Sequence, residues 1–100
     1  MRMYILVRNK APRGWGANAI GHVVLRCFLK FQKHPDMKKW LVHSFKKVTC
    51  LVSDEEFELA KKAKNFVVFS EPDLDGMVCT MAFCPRKEYP CYFSGFRLYS

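Results

Sequence analysis

The stretch KKVTCLVSDEEFELAKKAK, from Lys46 to Lys64, encodes a strand and a helix in immediate succession. Its first seven residues, ending at Val52, are mostly apolar or β-branched and predict a strand. Ser53 and Glu56 have the spacing of a capping box, in which the two residues satisfy the first backbone N–H groups of a helix. Acids in the first turn and lysines in the last turn suit the helix dipole. The stretch therefore predicts one β–α unit.

The same alternation of strands and helices extends through the rest of the chain. The other predicted elements are strands at Met3–Arg8, Phe66–Ser70 and Met77–Phe83, a loop at Asn9–Gly16, a helix from about Ala17 that Pro35 ends, a short helical segment over Asp36–Phe45, and a short strand or edge segment in the terminal GFRLYS. Their order predicts an α/β layered fold with a mixed sheet, as a single domain over residues 1–100. The short link at Glu71–Gly76 favours an antiparallel pair, whereas the longer connections allow parallel crossovers.

The composition favours a cytoplasmic protein. No apolar run approaches the roughly 18–20 residues of a membrane span, and Tyr4–Val7 is too short for the core of a signal peptide, which needs about 7–15 residues. The five cysteines are scattered and odd in number, which argues against a disulfide framework. The sequence contains no CxxC pair, so a zinc site is not expected. We expect no membrane partner, no metal and no cofactor.

The charge is concentrated in one half of the chain. The net charge is +8, and residues 1–50 hold eleven basic residues and one acid, whereas residues 51–100 hold six basic residues and eight acids. A strongly basic half favours a phosphate-rich partner such as nucleic acid. The candidates for backbone contacts are Arg8, Lys10, Arg13, Lys38, Lys39, Lys46 and Lys47. The alternative is a lysine-rich surface that only keeps the domain in solution.

The loop between the first strand and the first helix is the predicted site. It reads NKAPRGWGANAIGH, from Asn9 to His22, and backbone N–H groups at a helix start bind anions. The amides from Gly14 to Ala17 are therefore candidates for a phosphate or an oxyanion, although a tight turn explains the glycines equally well. Trp15 is placed either to stack on a base or to fold onto the core. His22 is the strongest acid–base candidate because an imidazole side chain can both accept and donate a proton under physiological conditions.

Several segments resemble one known family. These segments are YILVRNK, the Gly-x-Gly loop, the histidine of the first helix, KKVTCLVSDEEFELAKKAK, CTMAFCP and the terminal FRLY. In this order they resemble the second type of peptidyl-tRNA hydrolase, and most of all its divergent branch of peptidyl-tRNA hydrolase domain-containing proteins. The resemblance covers almost the whole chain. It implies a four-stranded mixed sheet flanked by helices, a tRNA partner and hydrolysis of the ester between peptide and tRNA. We expect a monomer or a homodimer.

The resemblance carries over to the glycine loop with one departure. Gly14 and Gly16 match the two glycines of the family, but Trp15 stands where the family has a lysine and Ala17 where it has the next one. Arg13 precedes the glycines. Lys10 is a second cation nearby, so the loop can still present positive charge to a substrate.

The remaining predicted site residues lie on the first helix and near the third and fourth strands. The catalytic candidates are His22, Asn18 one helical turn before it, and Asp75. Glu71 is the alternative acid, and it lies in a Glu-Pro-Asp stretch where the branch has Gln-Pro-Glu. Cys79 aligns with a threonine of the family, and Thr80 is next to it. The predicted substrate-binding residues are Lys10, Arg13, Gly14, Trp15, Gly16, Glu71, Cys79 and Thr80.

The sequence leaves two functions open. In the first, the domain hydrolyses peptidyl-tRNA or binds tRNA with a degenerate site. In the second, it is an inactive pseudo-enzyme that binds RNA, a nucleotide-like small molecule or a protein partner. Release of peptide from peptidyl-tRNA distinguishes the two functions.

Overall fold

Two parallel strands, β1 (Arg2–Arg8) and β2 (Lys46–Val52), pair along their whole length in the computed structural model, which describes residues 1–99. The hairpin of β3 (Phe66–Glu71) and β4 (Met77–Phe83) is antiparallel, and β4 pairs with the other side of β1. The predicted antiparallel pair and parallel crossover are therefore both confirmed. Ser100, the last residue of the predicted domain, lies outside the described residues.

The sheet has a fifth strand at its far edge. β5 (Arg97–Leu98) runs antiparallel to β2, and the sheet order is β3-β4-β1-β2-β5. The Tyr99 amide then donates to the Thr49 carbonyl over 2.9 Å. The terminal segment is thus the edge strand that the sequence allowed. The resemblance implied a four-stranded sheet, whereas the sheet has five strands.

Three helices connect these strands. They are α1 (Arg13–Phe31), α2 (Pro35–Lys39), which continues into a π-helical segment at Trp40–Ser44, and α3 (Asp54–Ala60), which ends in a 3₁₀ turn at Lys61–Ala63. The capping box is present, since the Ser53 hydroxyl accepts from the Glu56 amide and the Glu56 carboxylate accepts from the Ser53 amide. None of the helices within residues 1–99 has the length and apolar content required to cross a bilayer.

The helix α1 begins earlier than the sequence indicated. The predicted loop reached Gly16, but only Asn9 to Pro12 separates β1 from α1. Gly16 is buried where α1 crosses β1, and a Cβ atom there would lie 3.2 Å from Val7 Cγ1. The predicted loop is therefore wrong at Gly16, which is a position where the helix packs closely on the strand.

The sheet is covered on both faces, because alternate residues of β1 point to opposite sides. Met3 and Ile5 pack under α1 and α2, while Tyr4 and Leu6 pack under α3. The buried cluster that contains Met3 and Ile5 also includes Val23, Cys27, Met37, Trp40, Val67, Ala82 and Cys84. The buried cluster on the other face, with Tyr4 and Leu6, also includes Cys50, Val52, Phe57, Ala60, Met81, Phe83, Phe93 and Phe96. The result is a three-layer arrangement of helix, sheet and helix.

The outer edge of β3 is covered by side chains of α1. Arg26 donates to the Val68 carbonyl and Lys30 donates to the Phe66 carbonyl, each over 3.3 Å. An open edge strand is a template for pairing with another chain, and positive side chains on it reduce that tendency.

Candidate functional site

The cations at the carboxyl end of β1 are held by one acid. Arg8 donates to Asp54 Oδ1 through Nε over 3.1 Å and through a terminal nitrogen over 2.8 Å. Lys10 Nζ lies 2.6 Å from Asp54 Oδ2. A further Arg8 nitrogen donates to the Val78 carbonyl over 3.1 Å. Of the three cations predicted to contact a phosphate at this end, Arg8 and Lys10 are therefore engaged with Asp54, whereas Arg13 is not.

The position of Asp54 follows from the parallel pairing of β1 and β2. Arg8 pairs with Val52 in register, so the residues that follow the two strands emerge at the same edge. Lys10 and Arg8 hold the pKa of the Asp54 carboxyl below its ordinary value, through hydrogen bonds and opposite charge. Sequence reasoning missed Asp54. The parallel crossover that it predicted could have indicated this residue, because residues that follow two parallel strands emerge at the same edge of the sheet.

The first turn of α1 has little room for an anion beside Gly16. The Gly16 amide donates to the Pro12 carbonyl over 2.9 Å, so this predicted oxyanion donor is already bonded within the helix. Gly14 and Arg13 are exposed, and the Arg13 carbonyl accepts from the Tyr99 hydroxyl over 3.3 Å. Trp15 is half-buried and belongs to none of the apolar clusters within residues 1–99.

The predicted base His22 lies on the outward side of α1, facing β3. Its imidazole stacks on Phe69, with ring centroids 4.9 Å apart and planes 29° apart. Arg26 lies over the same Phe69 ring at 5.2 Å. Together with Leu25 and Leu29, these three side chains line an open groove of about 220 Å³. Asn18 is exposed one turn before His22.

The acids predicted to face His22 have other local roles. Glu71 is buried, and its carboxylate accepts from the Asp73 amide over 3.5 Å at the turn after β3. Asp75 is exposed in the left-handed region, with φ of 54°, and ends that turn. Within residues 1–99 no carboxylate forms a hydrogen bond or an ion pair with His22. The histidine therefore lacks a bonded acid to orient it.

Cys79 and Thr80 are core residues of β4. The Thr80 hydroxyl donates to the Ala19 carbonyl over 3.4 Å, and the Cys79 thiol donates to the Met77 carbonyl over 3.4 Å. Burial raises the pKa of the Cys79 thiol, and the nearby Glu71 carboxylate raises it further. A thiol of this kind is a poor nucleophile, because the reactive form is the thiolate.

The described part of the chain, residues 1–99, contains no group of three or more His, Cys, Asp or Glu side chains placed to hold a metal ion. No family model matches the chain, and no curated protein matches it significantly. The chemistry of the groove and of the charged surfaces must therefore be inferred from their residues.

Proposed function

We propose that this domain binds RNA of the tRNA class through the outward surface of α1, with the groove at His22 as the centre of the contact. The observation that carries the proposal is the segregation of charge between the two helical layers. Residues 13–33, which comprise α1 and the two residues after it, contain four basic residues and no acid. Residues 54–64, on the opposite face, contain three basic residues and four acids.

The cations of α1 have no carboxylate partner within residues 1–99. The ion pairs in that part of the chain involve Arg8, Lys10 and Lys61 alone. Arg13, Arg26, Lys30 and Lys33 therefore keep their charge available to a ligand. Arg26 and Lys30 lie one helical turn apart, and Lys33 follows just after the helix. Such grouped cations support contact with successive phosphates of a polyanion.

The groove supports contact with an unpaired nucleotide. The His22 and Phe69 rings and the Arg26 guanidinium offer flat surfaces at its wall, and bases stack on such groups. The resemblance to peptidyl-tRNA hydrolases supports tRNA as the class of RNA. Binding is supported better than hydrolysis, since His22 has no bonded carboxylate.

Binding is tested by measuring the affinity for tRNA as a function of salt by fluorescence anisotropy. The double variant Arg13→Gln, Lys33→Gln removes one exposed cation at the start of α1 and one just after its end. We expect the slope of log affinity against log salt to fall by about 2. The control is Lys62→Gln, Lys64→Gln on the opposite layer, which should leave affinity and slope unchanged. Equal losses in both pairs, or no affinity at low salt, would contradict the proposal.

Ester hydrolysis is the second candidate, and the exposed imidazole of His22 in the groove favours it. If His22 acts as the general base, His22→Gln should lower release of peptide from peptidyl-tRNA about 100- to 10,000-fold. His43→Gln is the matched control, because His43 is an exposed histidine outside the groove. If wild-type protein saturated with peptidyl-tRNA releases peptide no faster than buffer does, hydrolysis is rejected and RNA binding remains the proposed function.

A further inference from the structure

A second basic surface lies at the opposite end of the sheet from the loop at Asn9–Pro12. This surface, called the basic turn, is formed by residues 38–47. Its last two residues, Lys46 and Lys47, begin β2, and Lys46 pairs there with Arg2 of β1. Its four lysines, 38, 39, 46 and 47, are all exposed. No acid occurs between Asp36 and Asp54, and none of these lysines forms an ion pair within residues 1–99.

Apolar side chains project from the same turn. Val42 is 77% exposed, Phe45 55% and Leu41 39%. Single exposed apolar residues are ordinary, but a group of them rimmed by polar residues marks an interaction surface. The basic turn therefore combines an apolar tip with a lysine rim.

The backbone of the basic turn is held in an unfavourable shape. Phe45 is in the left-handed region with φ of 55°, which is rare for a bulky residue and is retained where the surrounding structure enforces it. Its amide donates to the Trp40 carbonyl over 2.7 Å, closing the π-helical segment. Trp40 is buried and its indole N–H donates to the Lys46 carbonyl over 2.7 Å. The Ser44 hydroxyl donates a hydrogen bond to the Met1 carbonyl. The tip is thus a fixed projection.

The stacking of Phe45 argues against RNA as the occupant of this surface. One face of its ring packs on Trp40, with centroids 4.9 Å apart and planes 27° apart. Lys47 Nζ lies 3.7 Å from the centroid of the same ring. A base would have to displace that ammonium in order to stack. The aliphatic tip at Val42 and Leu41 gains nothing from phosphates, but it gains from burial in hydrocarbon.

We propose that the basic turn binds the surface of an anionic lipid bilayer. Val42, with Leu41 and the edge of Phe45, enters the boundary between headgroups and acyl chains, and the four lysines contact the anionic headgroups. A fixed apolar tip with a lysine rim has the two components of such attachment, burial of apolar area and attraction to anionic lipid. This contact needs no spanning helix, and it uses residues outside the α1 surface assigned to RNA.

The proposal is tested by co-sedimentation with vesicles of phosphatidylcholine mixed with phosphatidylserine, and with vesicles of phosphatidylcholine alone. We expect binding to the mixed vesicles that weakens as salt is added. Lys38→Gln, Lys39→Gln should lower that affinity about 20- to 30-fold, and Val42→Ser should lower it about 3- to 10-fold. Because Val42, Lys38 and Lys39 are exposed, circular dichroism should show unchanged folding in both variants.

Two controls separate this surface from the rest of the molecule. Leu25→Ser removes another exposed apolar residue, which is 60% exposed on α1, and Lys62→Gln, Lys64→Gln removes two lysines from the opposite layer. Neither change should alter binding to the mixed vesicles. No binding to those vesicles at low salt, or full binding by Val42→Ser, would overturn the proposal. Loss of tRNA binding in Lys38→Gln, Lys39→Gln without any effect on vesicles would assign the basic turn to RNA.

Discussion

The two ends of the β1–β2 pair carry cations in opposite conditions. At the carboxyl end, Arg8 and Lys10 are both bonded to Asp54, and Gly16 closes the space between helix and strand. At the amino end, the basic turn holds four lysines that form no ion pair within residues 1–99, around an apolar tip. The sequence directed attention to the first end, because the glycines that follow the strand there predicted a loop.

The difference shows that the number of cations in a segment does not determine how many are available to a ligand. One acid from a distant part of the chain, Asp54, engages two cations at the carboxyl end, since parallel pairing places the residues after β1 and β2 at the same edge. In the part of the chain that the structure describes, no acid forms an ion pair with the lysines at the amino end. The available charge is thus set by topology, and four changes test this comparison.

Loss of Trp40 should have the largest effect, because this side chain supports the basic turn from within. Trp40→Ala is expected to lower the free energy of unfolding by about 3–5 kcal/mol, measured by urea denaturation. Trp40→Phe keeps most of the packing but leaves the Lys46 carbonyl without its donor, and should cost about 1–3 kcal/mol. Equal stability of wild type and Trp40→Ala would mean that the turn is not anchored through the indole.

Substitution of glycine in α1 tests the close packing at the carboxyl end. Gly16→Ala places a Cβ atom 3.2 Å from Val7 Cγ1 and 3.3 Å from the Tyr99 hydroxyl. The crowding, about 1–3 kcal/mol, exceeds the gain of about 0.5–1 kcal/mol from replacing a helical glycine, so we expect a net loss.

Gly21→Ala is the matched control, because a Cβ atom there meets nothing within 4 Å. This variant should raise the free energy of unfolding by about 0.5–1 kcal/mol. A gain in stability in both variants would show that α1 does not approach β1 as closely as the packing of Gly16 requires.

Removal of the Asp54 charge should break the asymmetry between the two ends. The pKa of Asp54 is lowered by Lys10 and Arg8, so its contribution to stability is full above the unfolded pKa near 4 and is lost as the pH falls through the lower folded pKa. Asp54→Asn should therefore lower the thermal midpoint at neutral pH, and the deficit should shrink below about pH 4.

The control is Glu55→Gln, an exposed acid in the same turn of α3 without a bonded cation within residues 1–99. It should change the thermal midpoint less than Asp54→Asn does at neutral pH. If Arg8 and Lys10 become available to tRNA in Asp54→Asn, the salt dependence of binding should steepen by up to about 2 in log–log slope. An unchanged slope would mean that the carboxyl end does not contact RNA even when its cations are released.

Thiol reactivity should show the smallest effect. Cys91 is exposed, whereas Cys27, Cys50, Cys79 and Cys84 are buried. Burial raises the pKa of Cys27 to about 12 and those of Cys50 and Cys84 to about 11. Native protein should react rapidly with a chromogenic disulfide reagent at Cys91 alone, and Cys91→Ser should remove that phase. Rapid reaction at Cys79 would indicate that the carboxyl end opens.

The elements with strong local signals could be predicted from the sequence. β2 and β4 have the predicted bounds, and the capping box of Ser53 and Glu56 is present because its two hydrogen bonds join residues close in the chain. The start of α1 was wrong, since the role of Gly16 depends on contact with Val7 and Tyr99. A glycine at a helix–strand contact and a glycine in a loop have the same local pattern.

The site was less accessible to sequence reasoning because its contacts join distant segments. Asp54 meets Lys10 across a crossover, and His22 meets Phe69 between a helix and an edge strand. Exposure of Val42 and Phe45 depends on a π-helical turn, which has no dependable sequence signature. Predicted roles for Asn18, Asp75 and the substrate-binding residues remain predictions.

The side chains of Arg26 and Lys30 have a consequence for how copies of this protein behave when crowded. They occupy the Val68 and Phe66 carbonyls, and they are also among the cations proposed to contact RNA. An anionic ligand that draws both side chains outward would leave these two carbonyl oxygens of the edge strand β3 without hydrogen-bond donors. Ligand capture and self-association of the chain would then be coupled through the same two residues.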